Sequence, residues 1–233
     1  MTLLAAGTCA MIAASAANAA YVPNFGGTYT FQTVPVTGQT NAADAGAYNG
    51  TTMTGLTPTA VTNAGATWAS SNGNYRATAW ALDGTVGSLN GSIDLGKYIS
   101  FTLNAAVGYS FDMTSITFGI GRSAAGPRQW QWRSSVDNYA AALTNYTTLN
   151  AALTVSNGVL TNPDSSSGWT GNVLTLSGAS FQALTNVTFR LYGYNSEVGG
   201  GSGGLQGPLT FAPAPGAIAL LGVAGLVGAR RRR

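Results

Sequence analysis

The chain of 233 residues has no histidine, a single cysteine at Cys9, and charged side chains at only 7% of its positions. These absences exclude whole classes of chemistry. Without histidine no Ser-His-Asp triad can be assembled, and with no thiol after residue 9 a cysteine protease and the usual nitrogen and sulfur ligand sets of zinc are excluded as well. One cysteine also excludes an internal disulfide. The acidic residues number seven: Asp44, Asp83, Asp94, Asp112, Asp137, Asp164 and Glu197. Most stand within two residues of a glycine or asparagine, in turn-like sequence where an aspartate caps backbone amides rather than facing a second carboxylate across a cleft as a glycosidase requires. No phosphate-binding glycine pattern follows a strand and opens a helix, because the glycine run at 199–204 has neither neighbour. The chain reads as a non-enzyme.

The basic residues are few and unevenly placed. Of the ten, four are the terminal Arg230, Arg231, Arg232 and Arg233, so residues 20–212 carry six basic groups against seven acidic ones. The high isoelectric point belongs to the tail, and a nucleic-acid partner, which needs a basic patch on the folded domain, is not expected.

Both ends carry apolar stretches. Residues 3–17 are apolar and small and run into Ala17-Asn18-Ala19, the small-x-small pattern that signal peptidase reads, with cleavage expected after Ala19. No Lys or Arg precedes this stretch, which is accounted for if the coding start lies upstream of Met1. The Ala-Gly-Thr sequence before Cys9 argues against a lipoprotein. At the other end Pro213-Ala214-Pro215 leads into an uninterrupted apolar run, 216–229, and then the four arginines. As a helix that run reaches about 21 Å against a hydrocarbon core of about 30 Å, a marginal anchor. Four guanidiniums resist translocation, so the arginines are expected on the cytoplasmic side and the remainder of the chain on the other. A buried core helix is the alternative, but such a helix rarely lacks a polar face.

Between these ends, aromatic and β-branched residues recur at a period of two. Tyr29 and Phe31 alternate, as do Ile99, Phe101 and Leu103, then Tyr109, Phe111 and Met113, then Ile116, Phe118 and Ile120. Arg76, Thr78 and Trp80 alternate with Tyr75, Ala77 and Ala79. A strand over 129–137 places Trp130, Trp132, Ser134 and Val136 on one face. Further strands are expected at 173–176, 187–194 and 205–211, the last preceded by a flexible glycine loop at 199–204. Turn signals separate them, among them Asn90-Gly91, Gly126-Pro127 and Asn157-Gly158. Only 138–142 and 181–184 read as helical, as single turns. The expectation is an all-β chain: a signal peptide at 1–19, an antiparallel, jelly-roll-like β-sandwich ectodomain at 20–211, and a sorting segment with a hydrophobic helix at 212–233.

The ordered tail of proline motif, apolar stretch and terminal arginines resembles the PEP-CTERM sorting signal of Gram-negative bacteria, in which most members carry Glu between the prolines. The body resembles the β-sandwich ectodomains that accompany that tail, through segments 98–102, 108–109, 126–127, 133–137 and 189–194. The resemblance implies processing by signal peptidase and by an exosortase-type membrane enzyme, transient anchoring in the inner membrane through the C-terminal helix, and a final place at the cell surface or in the extracellular matrix of a biofilm.

Arg133 and Asp137 stand out because a chain with so few charges puts two of them beside Trp130 and Trp132. One reading is a polar ligand contact with the tryptophans as a stacking surface for a sugar ring. The other, favoured, makes the tryptophans core and the charges structural. Arg190 is expected in an ion pair with an aspartate, and sharing a face with Thr188 and Tyr194 only if its strand bulges. No cofactor is expected. A structural calcium ion stays open through Asp, Asn and carbonyl oxygens, although no calcium-loop spacing is present. Two functions follow: a structural or adhesive protein of a polysaccharide matrix, or a carbohydrate-binding module.

Overall fold

The computed structural model describes residues 20–22, 26–31, 46–69, 73–83 and 85–213. The expected signal peptide with Ala17 and Ala19, and the sorting-signal residues Ala214, Pro215 and Arg230 to Arg233, lie outside them. The described chain is all-β. In order its strands are β1 (Ala20–Tyr21), β2 (Gly27–Tyr29), β3 (Leu56–Pro58), β4 (Thr62–Ala64), β5 (Thr67–Ala69), β6 (Asn74–Thr78), β7 (Tyr98–Ala105), β8 (Tyr109–Ser110) and β9 (Met113–Arg122). They continue with β10 (Gln129–Ser134), β11 (Tyr146–Thr147), β12 (Thr154–Ser156), β13 (Val159–Thr161), β14 (Ser167–Thr175), β15 (Asn186–Tyr194), β16 (Gly203–Gln206) and β17 (Leu209–Pro213).

Two antiparallel sheets form from these strands. The first runs β11-β14-β9-β16-β6-β5, with β17 also on β9 and β2 on β17; the second runs β12-β13-β10-β15-β7-β3, with β4 also on β7. A short parallel pair, β1 with β8, stands apart. The sheets face one another as in a β-sandwich, because each strand's apolar alternation points the same way. Ile99, Phe101 and Leu103 of β7, Trp130 and Trp132 of β10, and Val187, Phe189 and Leu191 of β15 are buried from one side. Ile116, Phe118 and Ile120 of β9, with Leu209 and Phe211 of β17, are buried from the other. Aromatic rings bridge the layers: Phe118 meets Trp132 edge-on with centroids 5.5 Å apart, and Phe101 stacks on Phe211 at 6.5 Å. Burying each of these side chains contributes about 1.5–3 kcal/mol, which is how a domain without disulfides holds together.

Several turns follow their sequence. Asn157 and Gly158 both have positive φ, 48° and 79°, and close β12 onto β13 with Ser156 opposite Val159, the two-residue hairpin that Asn-Gly favours. Other expectations are corrected. The strand expected over 129–137 ends at Ser134, and Ser135–Asp137 form a 3₁₀ turn; a second such turn is Ala179–Phe181. The first lies just upstream of the turn expected at 138–142 and the second overlaps the one expected at 181–184 only at Phe181; Asn138, Tyr139 and Ala183 have left-handed backbone instead. The flexible loop expected over 199–204 ends as strand: Gly203 and Gly204 are buried in β16, between β9 and β6. A Cβ on Gly203 would lie 2.8 Å from the Trp130 ring, and one on Gly204 would lie 2.3 Å from the Tyr75 carbonyl oxygen, so glycine is required there by close approach. Trp80, expected to share a face with Arg76, is buried instead. Ala79, at φ 58°, ends β6 and turns the indole inward, where its N–H donates to the Ala77 carbonyl at 2.7 Å. The final strand of 205–211 divides into β16 and β17 around Gly207, and β17 continues to Pro213, opposite Met113.

Candidate functional site

Trp130 and Trp132 do not form a stacking surface. Both are 0% exposed, packed against Trp80 and Phe118 respectively, so neither presents a ring to solvent. Asp137 is not beside Arg133 on a strand. It lies in the 3₁₀ turn and accepts the Ala141 amide at 3.0 Å. Of the proposed set, Arg133 alone reaches the outer face of the second sheet.

That face is where chemistry-bearing side chains gather. Because β10, β15 and β7 alternate, the residues opposite the buried tryptophans and phenylalanines point outward. Register aligns them in rows: Gln131 with Tyr192 and Tyr98, and Arg133 with Arg190 and Ser100. The pairing of β15 with β7 and β10 runs without a shift, so Thr188, Arg190, Tyr192 and Tyr194 share this face with no bulge. Ser100, small, leaves room beside Arg190. The Arg190 guanidinium sits between two rings, its Cζ 4.2 Å from the Tyr98 centroid and 3.6 Å from that of Tyr139. This replaces the expected ion pair: among the described residues Arg190 meets no carboxylate, and the cation is held by ring quadrupoles.

Tyr139 reaches Arg190 through an unusual backbone. Asn138 and Tyr139 have φ of 58° and 61°, and a bulky side chain in that region costs on the order of 1–3 kcal/mol. Arg133 holds the turn in place by donating from Nη1 to the carbonyls of Tyr139 at 2.8 Å and Ala140 at 3.0 Å, while its Nε donates to Gln131 Oε1 at 3.1 Å. Arg133 is thus a positioning residue, and its Cζ lies 5.8 Å from the Tyr192 ring. Tyr192 is 1% exposed, and its hydroxyl and Arg190 Nε are both buried, with each other's side chain as polar neighbour and no further partner. Burial raises the pKa of Tyr192, so the phenol stays neutral at ordinary pH. Burial alone would lower that of Arg190, but the Tyr192 hydroxyl and the surrounding phenols outweigh it and the arginine stays charged.

A second polar cluster stands at one end of the sandwich. Arg122, at the end of β9 and 0% exposed, donates from Nη1 to Asp164 Oδ1 at 3.0 Å and from Nη2 to Glu197 Oε1 at 3.4 Å, and also meets the carbonyls of Pro163 and Ala124. The guanidinium beside Asp164 holds its carboxyl below the usual carboxylate range. The remaining described carboxylates cap turns: Asp83 accepts the Asn90 amide, Asp94 that of Gly96, and Asp112 that of Ala183. Among the described residues no three His, Cys, Asp or Glu side chains converge on a metal-binding position, and none of the helices is long and apolar enough to cross a membrane.

Sequence reasoning missed Tyr98, Tyr139, Tyr192 and Ser100 as companions of Arg190. The period-two alternation of 98–102 and 188–194 carried the signal for three of them, since it places each outside the core; Tyr139 had none. No family model, curated protein or solved structure matches this chain.

Proposed function

We propose that this chain is an exported, non-catalytic protein of the cell surface or extracellular matrix, structural or adhesive within a polysaccharide matrix, whose two sheets belong to a jelly-roll-like sandwich flanked by a signal peptide and a sorting helix. The observation that carries this is a nearly neutral all-β domain set between two apolar terminal segments of opposite task. The order of the segments supports it: the strands of the described domain lie between the expected cleavage position after Ala19 and the Pro-Ala-Pro motif that opens at Pro213. An exosortase-type enzyme acting on that motif would meet it immediately beyond a strand anchored on β9. Cell fractionation tests the proposal. The protein is expected in the surface and matrix fractions; its recovery only from cytosol would refute it.

A second reading, glycan binding, is favoured by one observation: the stack of Tyr98, Arg190 and Tyr139 on the outer face. Flat rings and an unneutralised cation on a sheet face suit a sugar better than they suit plain solvent. Retention of the protein on immobilised matrix polysaccharide, lost on substituting Tyr98 with Ala while the fold persists, is the expected result.

A further inference from the structure

The outer face of the second sheet holds two positive charges in a row, Arg133 opposite Arg190 on adjacent strands, a placement in which like charges repel. No described carboxylate relieves it, since the three ion pairs of the described residues involve only Lys97 and Arg122. The repulsion is the cost of keeping a cation here. Tyrosine rings cover the faces of Arg190 and its Nε is buried, with the Tyr192 hydroxyl as its polar neighbour, so what it has left to offer is the outer, Nη edge of the guanidinium. An arginine edge is a fork that matches the two oxygens of a carboxylate. Beneath it lies the buried Tyr192 hydroxyl, and along the same face the Thr102 and Thr188 hydroxyls, 2.8 Å apart. The turn that carries Tyr139 is kept in a left-handed conformation by Arg133 although tyrosine disfavours it, and strained backbone of this kind is found where a side chain must be placed for a ligand.

We propose that this edge binds the carboxylate of a uronic-acid residue in an anionic polysaccharide, with Arg190 clamping the carboxylate in plane, Tyr98 and Tyr139 bordering the sugar ring, and Arg133 as the positioning residue. The inference rests on the glycan-binding reading and specifies its ligand. A carboxylate supplies the missing counter-charge, the pyranose ring supplies C–H surface for the phenols, and its hydroxyls match the polar residues along the same strands.

Affinity electrophoresis of the purified full chain tests this in gels holding polygalacturonate, its carboxyl-reduced neutral derivative, or polyglutamate. Retardation by polygalacturonate is expected, with affinity about tenfold weaker or less for the other two, the amount that one charged bidentate contact supplies. Arg190→Lys keeps the charge but loses the fork and is expected to weaken retardation about tenfold. Tyr139→Gly removes the ring while relieving the left-handed strain, so it is expected to stay folded by thermal melt and yet bind more weakly. Equal retardation by the neutral derivative would overturn the uronate assignment while leaving glycan binding intact. Equal retardation by polyglutamate would reduce the site to general charge attraction and overturn the proposal. Absence of retardation in every polysaccharide gel would overturn the proposal together with the glycan-binding reading, and full binding by folded Arg190→Lys and Tyr139→Gly would remove it from this face.

Discussion

Arg190 is half-buried between two tyrosine rings, and its neighbours show why a side chain's partners matter more than its type. In a chain with six basic residues outside the tail, Arg122 is buried against two carboxylates whereas Arg190 is held by rings. Removing the first should therefore be a stability event: Arg122→Ala leaves Asp164 and Glu197 without their cation and is expected to cost about 3 kcal/mol in denaturant unfolding. The pH dependence follows from Asp164. Its folded pKa is depressed by the Arg122 hydrogen bond, so it contributes stability above its unfolded pKa and loses that contribution as pH falls through the folded value. Melting temperature should fall below about pH 4, and Asp164→Asn should flatten that fall while lowering the value at pH 7. Because the Asp164 side chain is 40% exposed, solvent screening makes this effect smaller than the loss of Arg122 itself. At the opposite extreme, Trp132→Ala is expected to cost about 3–5 kcal/mol by emptying a core position against Phe101 and Phe118. That cost, measured by denaturant unfolding, separates a core tryptophan from a ligand-stacking one.

Among the elements, legibility tracked period and turn chemistry. β7 was readable because Ile99, Phe101 and Leu103 alternate cleanly with polar residues, and the β12–β13 hairpin because Asn-Gly prescribes its turn. β16 was hidden because two glycines carry no hydrophobic signal; they are in the sheet for close approach to Trp130 and to the Tyr75 backbone, a tertiary demand that local sequence does not state. The end of β10 was hidden for a related reason: Val136 continues the alternation, but the backbone turns at Ser135 and Asp137 caps the segment that follows. Trp80 was misassigned because its inward turn depends on one left-handed alanine. These causes give an element-scale prediction. Gly204→Ala should push β16 away from β6 and cost on the order of 1–3 kcal/mol by thermal or denaturant unfolding, whereas alanine at exposed Gly199, whose Cβ would meet nothing within 4 Å, should change little. The candidate site was half legible for the same reasons: the alternation of β7 and β15 sets Tyr98, Arg190 and Tyr192 outward, but nothing local announces that a turn downstream of β10 lays Tyr139 over Arg190.

For the whole molecule, the two sheets bury a continuous aromatic and aliphatic core without a disulfide, and in the proposed function the terminal segments set the destination. The described domain keeps its charges sparse and its outer face rich in hydroxyl, amide and phenol groups, which suits a hydrated polysaccharide surrounding. β17 pairs with β9 from Thr210 to Pro213, where the Pro-Ala-Pro motif of the sequence begins. The measurement that bears most directly on this account is the mass of the protein recovered from the surface fraction, resolved at both termini. A chain that starts near Ala20 and lacks Arg230 to Arg233 is the predicted result. A surface-fraction chain that retains its leader and ends on those four arginines would contradict it.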